Sequence, residues 1–392
     1  MKKVLFVYPH NFLERNMGTN IRVFQVAAEL HAKGYEIDLF AFSSFCSSFD
    51  DFESANQDGL INKLFLYDFR KIIAYRKWQK KKFLLSNLLT KRNFDDELDD
   101  WTTPEMIKQF NQVVSEGQYD SIVMFYVYTA ELLSGLKGEN IRKIYFMEDM
   151  LSANCYLVDR TRDLGLLMDS ELRRISYFDQ IVCISWDEKT FIEKLISGKE
   201  FFFLPHIVRK QDRNRDIFFS GKRLPRVLFI GFDNPYNIEG MKWFLQQVYP
   251  LLNLNMEIQV VGKVTRHLEE WKRQNINMVE YAPDLDILYR SVDIVICPLQ
   301  NGTGMKVKVI EAMSYGIPVV CTSRGVDGFP DKTMNGCLVE DKPQAFATAI
   351  NRLASDEGFY KSCQAQVEHY FAEVLEWDKN RFVLTSLFGD AE

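Results

Sequence analysis

The chain has 392 residues, 48 Lys and Arg against 54 Asp and Glu, 47% hydrophobic residues and 14% aromatic ones. At about 100–200 residues per domain this length suits two domains, and the composition excludes disordered and collagen-like architectures. A net charge of −6 excludes nucleic-acid binding through global positive charge, although a local basic patch stays open, and no apolar run reaches the roughly 18 residues of a membrane-spanning helix.

The opening run Val4-Leu5-Phe6-Val7-Tyr8 stops at Pro9, short of the roughly 7–15 residues of a signal-peptide core, and predicts a buried first strand. Further strands are expected near 36–42, 63–67, 120–126, 142–147 and 180–184. Helical patterns lie between them. In 20–33, Ile21, Phe24, Ala27, Ala28 and Leu30 keep helical spacing and Gly34 follows as a stop. Residues 208–225, with the polar run 209–216, read as a linker. After it the pattern restarts: strand 226–230, helix 237–252, strand 256–262, helix 265–274, strands 276–281 and 293–297, helix 305–315, strand 317–321, then helix from about 342. Apolar strands alternating with helices predict two doubly wound α/β units, with a ligand in the cleft at the carboxyl ends of the strands. The seven cysteines (46, 155, 183, 297, 321, 337 and 363) are odd in number, lack a Cys-x-x-Cys spacing and fall largely in apolar runs, as reduced thiols of a cytoplasmic protein would.

No Gly-x-Gly-x-x-Gly follows a predicted strand, and no Gly-x-x-x-x-Gly-Lys-Ser/Thr is present. The informative segment is 292–313. A strand runs into Gly302-Thr303-Gly304-Met305-Lys306-Val307-Lys308, with Glu311 further on. Two glycines let the backbone approach a ligand, and the helix N-terminus after them suits a phosphate. Lys306 and Lys308 crowd that positive end, which costs a few tenths of a kcal/mol unless an anion sits between them. The Glu311 carboxylate suits two vicinal hydroxyls. The plainer alternative is a solvated first turn with a surface glutamate.

Residues 302–316, with Ile317-Pro318-Val319-Val320 after them, resemble the nucleotide-sugar signature of the family 4 retaining glycosyltransferases of the GT-B fold. The likeness extends through Val227–Gly231, 237–244, Val260-Val261-Gly262, Tyr281-Ala282-Pro283-Asp284-Leu285 and the opening strand and loop with Gly18. It is strongest over 226–330 and weakest over 45–140. It implies an α/β GT-B fold of two Rossmann-like domains facing each other across a cleft. Residues 1–207 would bind the acceptor, 208–225 link, and 226–374 bind the nucleotide sugar, with a terminal helix at about 375–392 returning to the first domain. By resemblance Glu311 holds the donor ribose, Lys306 and Lys308 stand near the diphosphate, and the Gly302–Met305 loop amides, including those of Thr303 and Gly304, face donor sugar and phosphate. The family's usual first glutamate is replaced here by Thr303, which removes any catalytic role for a carboxylate at that place.

The same likeness gives Gly18 and Thr19 a role in closing over the donor phosphate, the alternative being that Thr19 or Asn20 merely caps a helix. Asn237 is expected to cap its helix and to offer a second phosphate contact. Lys263, Tyr281 and Leu285 would flank the base. His10, Glu148 and Asp149 are candidate acceptor-binding residues, with Asp149 as a plain helix cap the alternative. Where the family often carries a histidine, this chain has Phe125-Tyr126-Val127-Tyr128. Residues 70–92 hold nine basic residues and no acid, interleaved with Ile73, Trp78, Leu84 and Leu85. Such a segment suits an anionic membrane, or else a solvated helix balanced by the acids at 95–100.

The expected protein is thus a cytoplasmic, metal-independent, retaining glycosyltransferase, possessing no cofactor beyond its UDP- or GDP-linked donor, with a glycan or lipid-linked acceptor and contact with the inner membrane face. A nucleotide-sugar epimerase and a non-catalytic partner subunit of the same fold are the rival readings.

Overall fold

The computed structural model describes residues 2–15, 18–45, 48–86, 93–136, 140–212, 218–253 and 255–389. It divides into one unit of 1–204 and 382–392, and a second of 205–381.

The first unit is built on seven parallel strands: β1 Lys3–Val7, β2 Glu36–Ser43, β3 Lys63–Asp68, β4 Ser121–Met124, β5 Arg142–Met147, β6 Gln180–Cys183 and β7 Glu200–Phe203. Their order is β3-β2-β1-β4-β5-β6-β7, with Val4 opposite both Ile37 and Ser121. Strands β1 and β4 are buried over nearly their whole length, as a parallel sheet covered on both faces requires. The helices are α1 Gly18–Ala32, α2 Phe52–Ala55, α3 Phe69–Ser86, α4 Pro104–Gly117, α5 Leu151–Val158, α6 Leu164–Ile175 and α7 Trp186–Ile192. Val23, Val26, Ala27 and Leu30 give α1 its buried stripe, and Gly34 (φ 84°) follows the helix in the left-handed region. Thr103 accepts from the Met106 amide and Pro104 opens α4, a strong start signal.

The second unit has six parallel strands: β8 Arg226–Ile230, β9 Glu257–Val261, β10 Ile276–Val279, β11 Ile294–Cys297, β12 Val319–Cys321 and β13 Leu338–Val339, ordered β10-β9-β8-β11-β12-β13. Its helices are α8 Pro235–Trp243, α9 Leu285–Ser291, α10 Val307–Ser314, α11 Pro343–Ser355, α12 Glu357–Tyr370 and α13 Trp377–Asn380. The fully buried Asp293 carboxylate takes both Nη atoms of Arg223 at 2.6 and 2.8 Å and the Arg226 amide at 2.9 Å, fixing the chain as it enters β8. The last helix, α14 Phe382–Phe388, belongs to the first unit. There Tyr35 Oη donates to Phe388 O at 2.7 Å and Arg142 Nη1 to Leu387 O at 2.6 Å.

Several expectations need correction. The described residues of the polar stretch expected as a linker, 208–212 and 218–225, cluster with the second unit. The Gln211 amide donates to Ser314 O at 2.9 Å and the Lys210 amide to Glu376 Oε2 at 2.8 Å. The helix expected at 237–252 starts two residues earlier and leaves α geometry at Phe244–Val248 for a π turn. The helix expected at 265–274 is two short 3-10 turns, Lys263–His267 and Glu269–Trp271. Gly262 dictates that start. At φ 110° a Cβ there would lie 2.1 Å from Gly231 O, and the Val264 amide donates to the same oxygen at 3.3 Å. Strands β7 and β13, four and two residues long, were not among the expected elements. Cys155 is half-buried and Cys183, Cys297, Cys321, Cys337 and Cys363 are buried, all free, while Cys46 lies outside the described residues. Among the described residues no helix is long and apolar enough to cross a membrane.

Candidate functional site

In the second sheet the strand order reverses between β8 and β11. The loops leaving the carboxyl ends of two such strands form the crevice in which open α/β sheets bind ligands. In the loop from β11, Gly302 (φ 112°) and Gly304 (φ 70°) both occupy the left-handed region. That curl turns the carbonyls of Thr303 and Gly304 onto Lys306 Nζ, at 2.8 and 2.7 Å. Lys306 is buried and is itself the N-cap residue of α10. The crowding of two lysines at this helix end is therefore eased from within the loop. Met305 is buried as well.

Lys308 turns toward β8. Its Nζ donates to Asn237 Oδ1 at 2.8 Å and stands 4.2 Å from the centroid of the Phe229 ring. Burial pulls its pKa down to about 8; nearby Lys306 adds to the fall, while Cys297 and Glu311 oppose it. Asn237 does not cap α8 as expected. Asn234 does, accepting from the Asn237 amide at 2.9 Å, because Pro235 takes the first helical position. Asn237 Nδ2 donates to Phe232 O at 3.0 Å, which leaves Oδ1 aimed at Lys308. One turn along α10, Glu311 Oε2 accepts from Tyr289 Oη at 2.7 Å. Burial raises the Glu311 carboxyl above the usual range, opposed by the Tyr289 hydrogen bond and by Lys308.

Sequence reasoning missed Tyr289. Its ring stacks on Tyr315 at 5.2 Å, whose hydroxyl donates to Asp286 Oδ1 at 2.8 Å, so α9 holds the glutamate in place. The one available signal was that Tyr289 follows Leu285 by a helical turn. Lys263 is exposed, its ammonium 5.2 Å from the Phe232 ring and so on the β8 side. Tyr281 and Leu285 are exposed, the latter opening α9 behind its cap Asp284. The second unit therefore gathers Asn237, Gly302, Thr303, Gly304, Lys306, Lys308 and Glu311, with Lys263, Tyr281 and Leu285 outside that knot of hydrogen bonds.

The other candidates belong to the first unit, where the order reverses between β1 and β4. Gly18 and Thr19 open α1. Asn20 lies inside that helix and is fully buried, accepting from Tyr8 Oη at 2.7 Å, so it is no cap. His10 is buried between Tyr8 and Phe45, its ring 5.4 and 4.9 Å from theirs. Burial lowers its pKa to about 4, so it is neutral, and its buried Nδ1 has no hydrogen-bond partner among the described residues. Glu148 Oε1 accepts from Nε of the fully buried Arg22 at 2.8 Å, and Arg22 Nη2 donates to Leu204 O at 2.8 Å. Burial lifts the Glu148 carboxyl to about 7, with Arg22 pulling it back and Asp149 pushing it further. Asp149 is half-buried, and Met150, not Asp149, occupies the N-cap position of α5. Arg22 and Tyr126, stacked on Tyr8 at 6.0 Å, are further members that sequence reasoning did not single out.

Of the basic segment 70–92, residues 70–86 lie on α3 and Lys91 and Arg92 lie outside the described residues. Arg70, Lys71, Arg76 and Lys80 pair with Asp68, Glu105, Asp99 and Asp95. Lys77, Lys81 and Lys82 form no ion pair among the described residues, and they share the exposed side with Ile73, Trp78, Leu84 and Leu85.

Residues 224–356 match the family model described as Glycosyl transferases group 1. This stretch is a glycosyl transferases group 1 domain. It contains β8 through α11, and with them every residue of the knot just described. An uncharacterised 44.6 kDa protein from the cps region of Klebsiella pneumoniae is 32% identical over 116 residues, a match covering 26% of this chain and 30% of that relative. Sucrose-phosphate synthase from Thermosynechococcus elongatus is similar in structure at 15% identity, covering 99% of this chain and 98% of that one, with a TM-score of 0.67. S. aureus TarM, in a complex with fondaparinux, α-GlcNAc-glycerol and UDP, is similar at 12% identity, 99% and 100% coverage and a TM-score of 0.68. The group 1 domain and the unit preceding it thus have the α/β folds of the GT-B glycosyltransferase structures.

Proposed function

We propose that the chain is a retaining glycosyltransferase that moves a sugar from a UDP- or GDP-linked donor to a glycan or lipid-linked acceptor in surface polysaccharide synthesis. The observation that carries this reading is the Lys308–Asn237 hydrogen bond, a buried cation held at the switch point of the group 1 domain. A lysine whose own surroundings favour the neutral form has a use for an anion, and a leaving diphosphate supplies one. Lys306 shapes the loop and adds a second positive charge, and the amides of 302–305 complete the cradle. Glu311, preset by Tyr289, takes the ribose hydroxyls. Together these groups stabilise the charge that grows on the diphosphate as the glycosidic bond breaks, so the reaction proceeds without a metal. Thr303 provides no carboxylate nucleophile, which favours displacement from the same face of the sugar. On the acceptor side, Glu148 and the neutral His10 are the groups to receive the hydroxyl and its proton. The Lys77, Lys81 and Lys82 side of α3 would rest on anionic lipid at the cytoplasmic face of the membrane.

The test is incubation with a panel of UDP- and GDP-sugars without acceptor. Slow release of free sugar with its anomeric configuration retained supports the transferase. An epimerised nucleotide sugar, or inertness with no nucleotide binding, overturns it.

A further inference from the structure

The Glu311 carboxylate is half-buried on α10, and among the described residues its one hydrogen-bond partner is Tyr289 Oη, which donates to Oε2 at 2.7 Å. No cation among those residues pairs with it, and Lys308, one turn earlier on the same helix, donates to Asn237 instead. An ionised carboxylate has about four acceptor sites, so about three stay available to donors from outside. A hydroxyl is such a donor, and two neighbouring hydroxyls on a sugar ring can meet one carboxylate together.

Tyr289 is itself clamped. It is buried on α9, and its ring stacks on Tyr315 at 5.2 Å with 18° between the planes. Tyr315 Oη donates to Asp286 Oδ1 and Arg290 Nε to Asp286 Oδ2, each at 2.8 Å, and the Arg290 guanidinium stands 5.8 Å from the Tyr315 ring. Asp284 fixes the start of α9 by accepting from the Ile287 amide at 3.1 Å. The Tyr289 hydroxyl therefore has one place to be, and being buried it keeps its acceptor, since an unpaired buried hydroxyl is costly. A glutamate left alone rotates about three side-chain bonds. With Oε2 tied, it presents Oε1 and the rest of Oε2 in one orientation. A ligand then meets the carboxylate without having to immobilise it, an ordering worth about 2- to 12-fold in affinity.

We infer that Tyr289 is a positioning residue that aims the Glu311 carboxylate at both hydroxyls of the donor ribose and so makes the site select ribonucleoside over 2′-deoxyribonucleoside diphosphates. The assignment rests on the donor-site reading above and adds to it the class of nucleotide. Sugars carried on a deoxyribonucleoside diphosphate are disfavoured, because the missing 2′-hydroxyl leaves one aimed acceptor site with nothing to receive. Two hydroxyls taken at once require one orientation of the carboxylate, whereas a single hydroxyl can be met from several. Removing the tyrosine hydroxyl therefore weakens the ribose ligand more than the deoxyribose one.

Calorimetry on the full chain with UDP, 2′-deoxy-UDP, GDP and 2′-deoxy-GDP tests this. The wild type should bind at least one ribonucleotide about tenfold or more tighter than its deoxy form, the worth of a charge-assisted hydrogen bond. Tyr289→Phe keeps the stacked ring, so it should melt close to the wild type. Its ribonucleotide affinity should fall about 2- to 12-fold and its deoxyribonucleotide affinity less, so that the selectivity narrows. With a nucleotide sugar that the wild type hydrolyses, KM should rise and kcat hold, because the ribose is gripped equally in the ground and transition states. Glu311→Gln separates the two readings. If it lowers both affinity and selectivity while Tyr289→Phe keeps the wild-type selectivity, the positioning role is overturned and the donor site stands. A wild type that binds ribose and deoxyribose forms alike also overturns the role, whatever the variants do. If neither UDP nor GDP binds, or Glu311→Gln changes nothing, the donor-site reading fails and this assignment fails with it.

Discussion

Replacing Lys308 by Met keeps the length of the side chain and removes its charge. The wild-type ammonium is held against its surroundings: a pKa lowered from 10.5 to about 8 corresponds to about 3 kcal/mol of disfavoured charging. Against that stand the hydrogen bond to Asn237 and the contact with the Phe229 ring, together about 2–3 kcal/mol. The two sums nearly cancel, so Lys308→Met should melt within a few degrees of the wild type. UDP binding behaves differently. A lost charge-assisted hydrogen bond is worth about 1.5–3 kcal/mol, or roughly a 10- to 150-fold drop in affinity. Calorimetry with UDP and thermal unfolding of the empty protein measure the two separately. The pH dependence adds a second signature. The folded pKa lies below the unfolded one, so between about pH 8 and 10.5 the folded state binds fewer protons, and wild-type stability rises with pH across that window. Lys308→Met should lack this rise. A variant that unfolds easily yet binds UDP normally would show Lys308 to be a structural lysine and the anion argument to be wrong.

Glu311→Gln should keep the fold and weaken UDP-sugar binding roughly 10- to 150-fold through the ribose hydroxyls, and calorimetry showing unchanged affinity would remove Glu311 from the site. Gly262→Ala places a Cβ 2.1 Å from Gly231 O at φ 110°, so chemical denaturation should show a loss of about 3 kcal/mol or more, and a wild-type midpoint would contradict the close approach described for that turn. If Glu148 acts on the acceptor hydroxyl, turnover under saturating donor should climb as pH rises through about 7, where its carboxyl ionises, and Glu148→Gln should flatten that limb. Replacing Lys77, Lys81 and Lys82 with Glu should abolish salt-sensitive binding to anionic vesicles while leaving UDP affinity intact; vesicle sedimentation equal to wild type would return α3 to a merely solvated helix.

The parallel sheets were legible because buried strands such as Val4–Val7 and Ile294–Cys297 are continuous apolar runs, a pattern few other structures share. The loop from 302 to 311 was legible through its glycines and lysines, which concentrate special chemistry in ten residues. What escaped was everything decided by distant partners. Tyr289 meets Glu311 across 22 positions, and Arg22 meets Glu148 across 126, with no local mark on either residue. Lys306 read as a free cation because nothing in one dimension reveals that two carbonyls of its own loop curl onto it. The 265–274 stretch read as a helix because its composition permits one; the Gly262–Gly231 contact, set by the pairing of β9 with β8, overrides that local preference.

The path of the backbone through α14 has a consequence for how the protein is made. Synthesis runs from the N-terminus, so the ribosome completes β1 to β7 early, then the entire second unit, and only afterwards the helix that covers Tyr35 and Arg142. During that interval the nascent first unit exposes the apolar surface that Val383, Leu384, Leu387 and Phe388 later bury. The second unit is under no such delay, because its own first and last segments meet directly, with the Trp377 amide on Val208 O at 3.2 Å. The first unit to be translated is therefore the last to be finished, and the final turn of helix is what closes it.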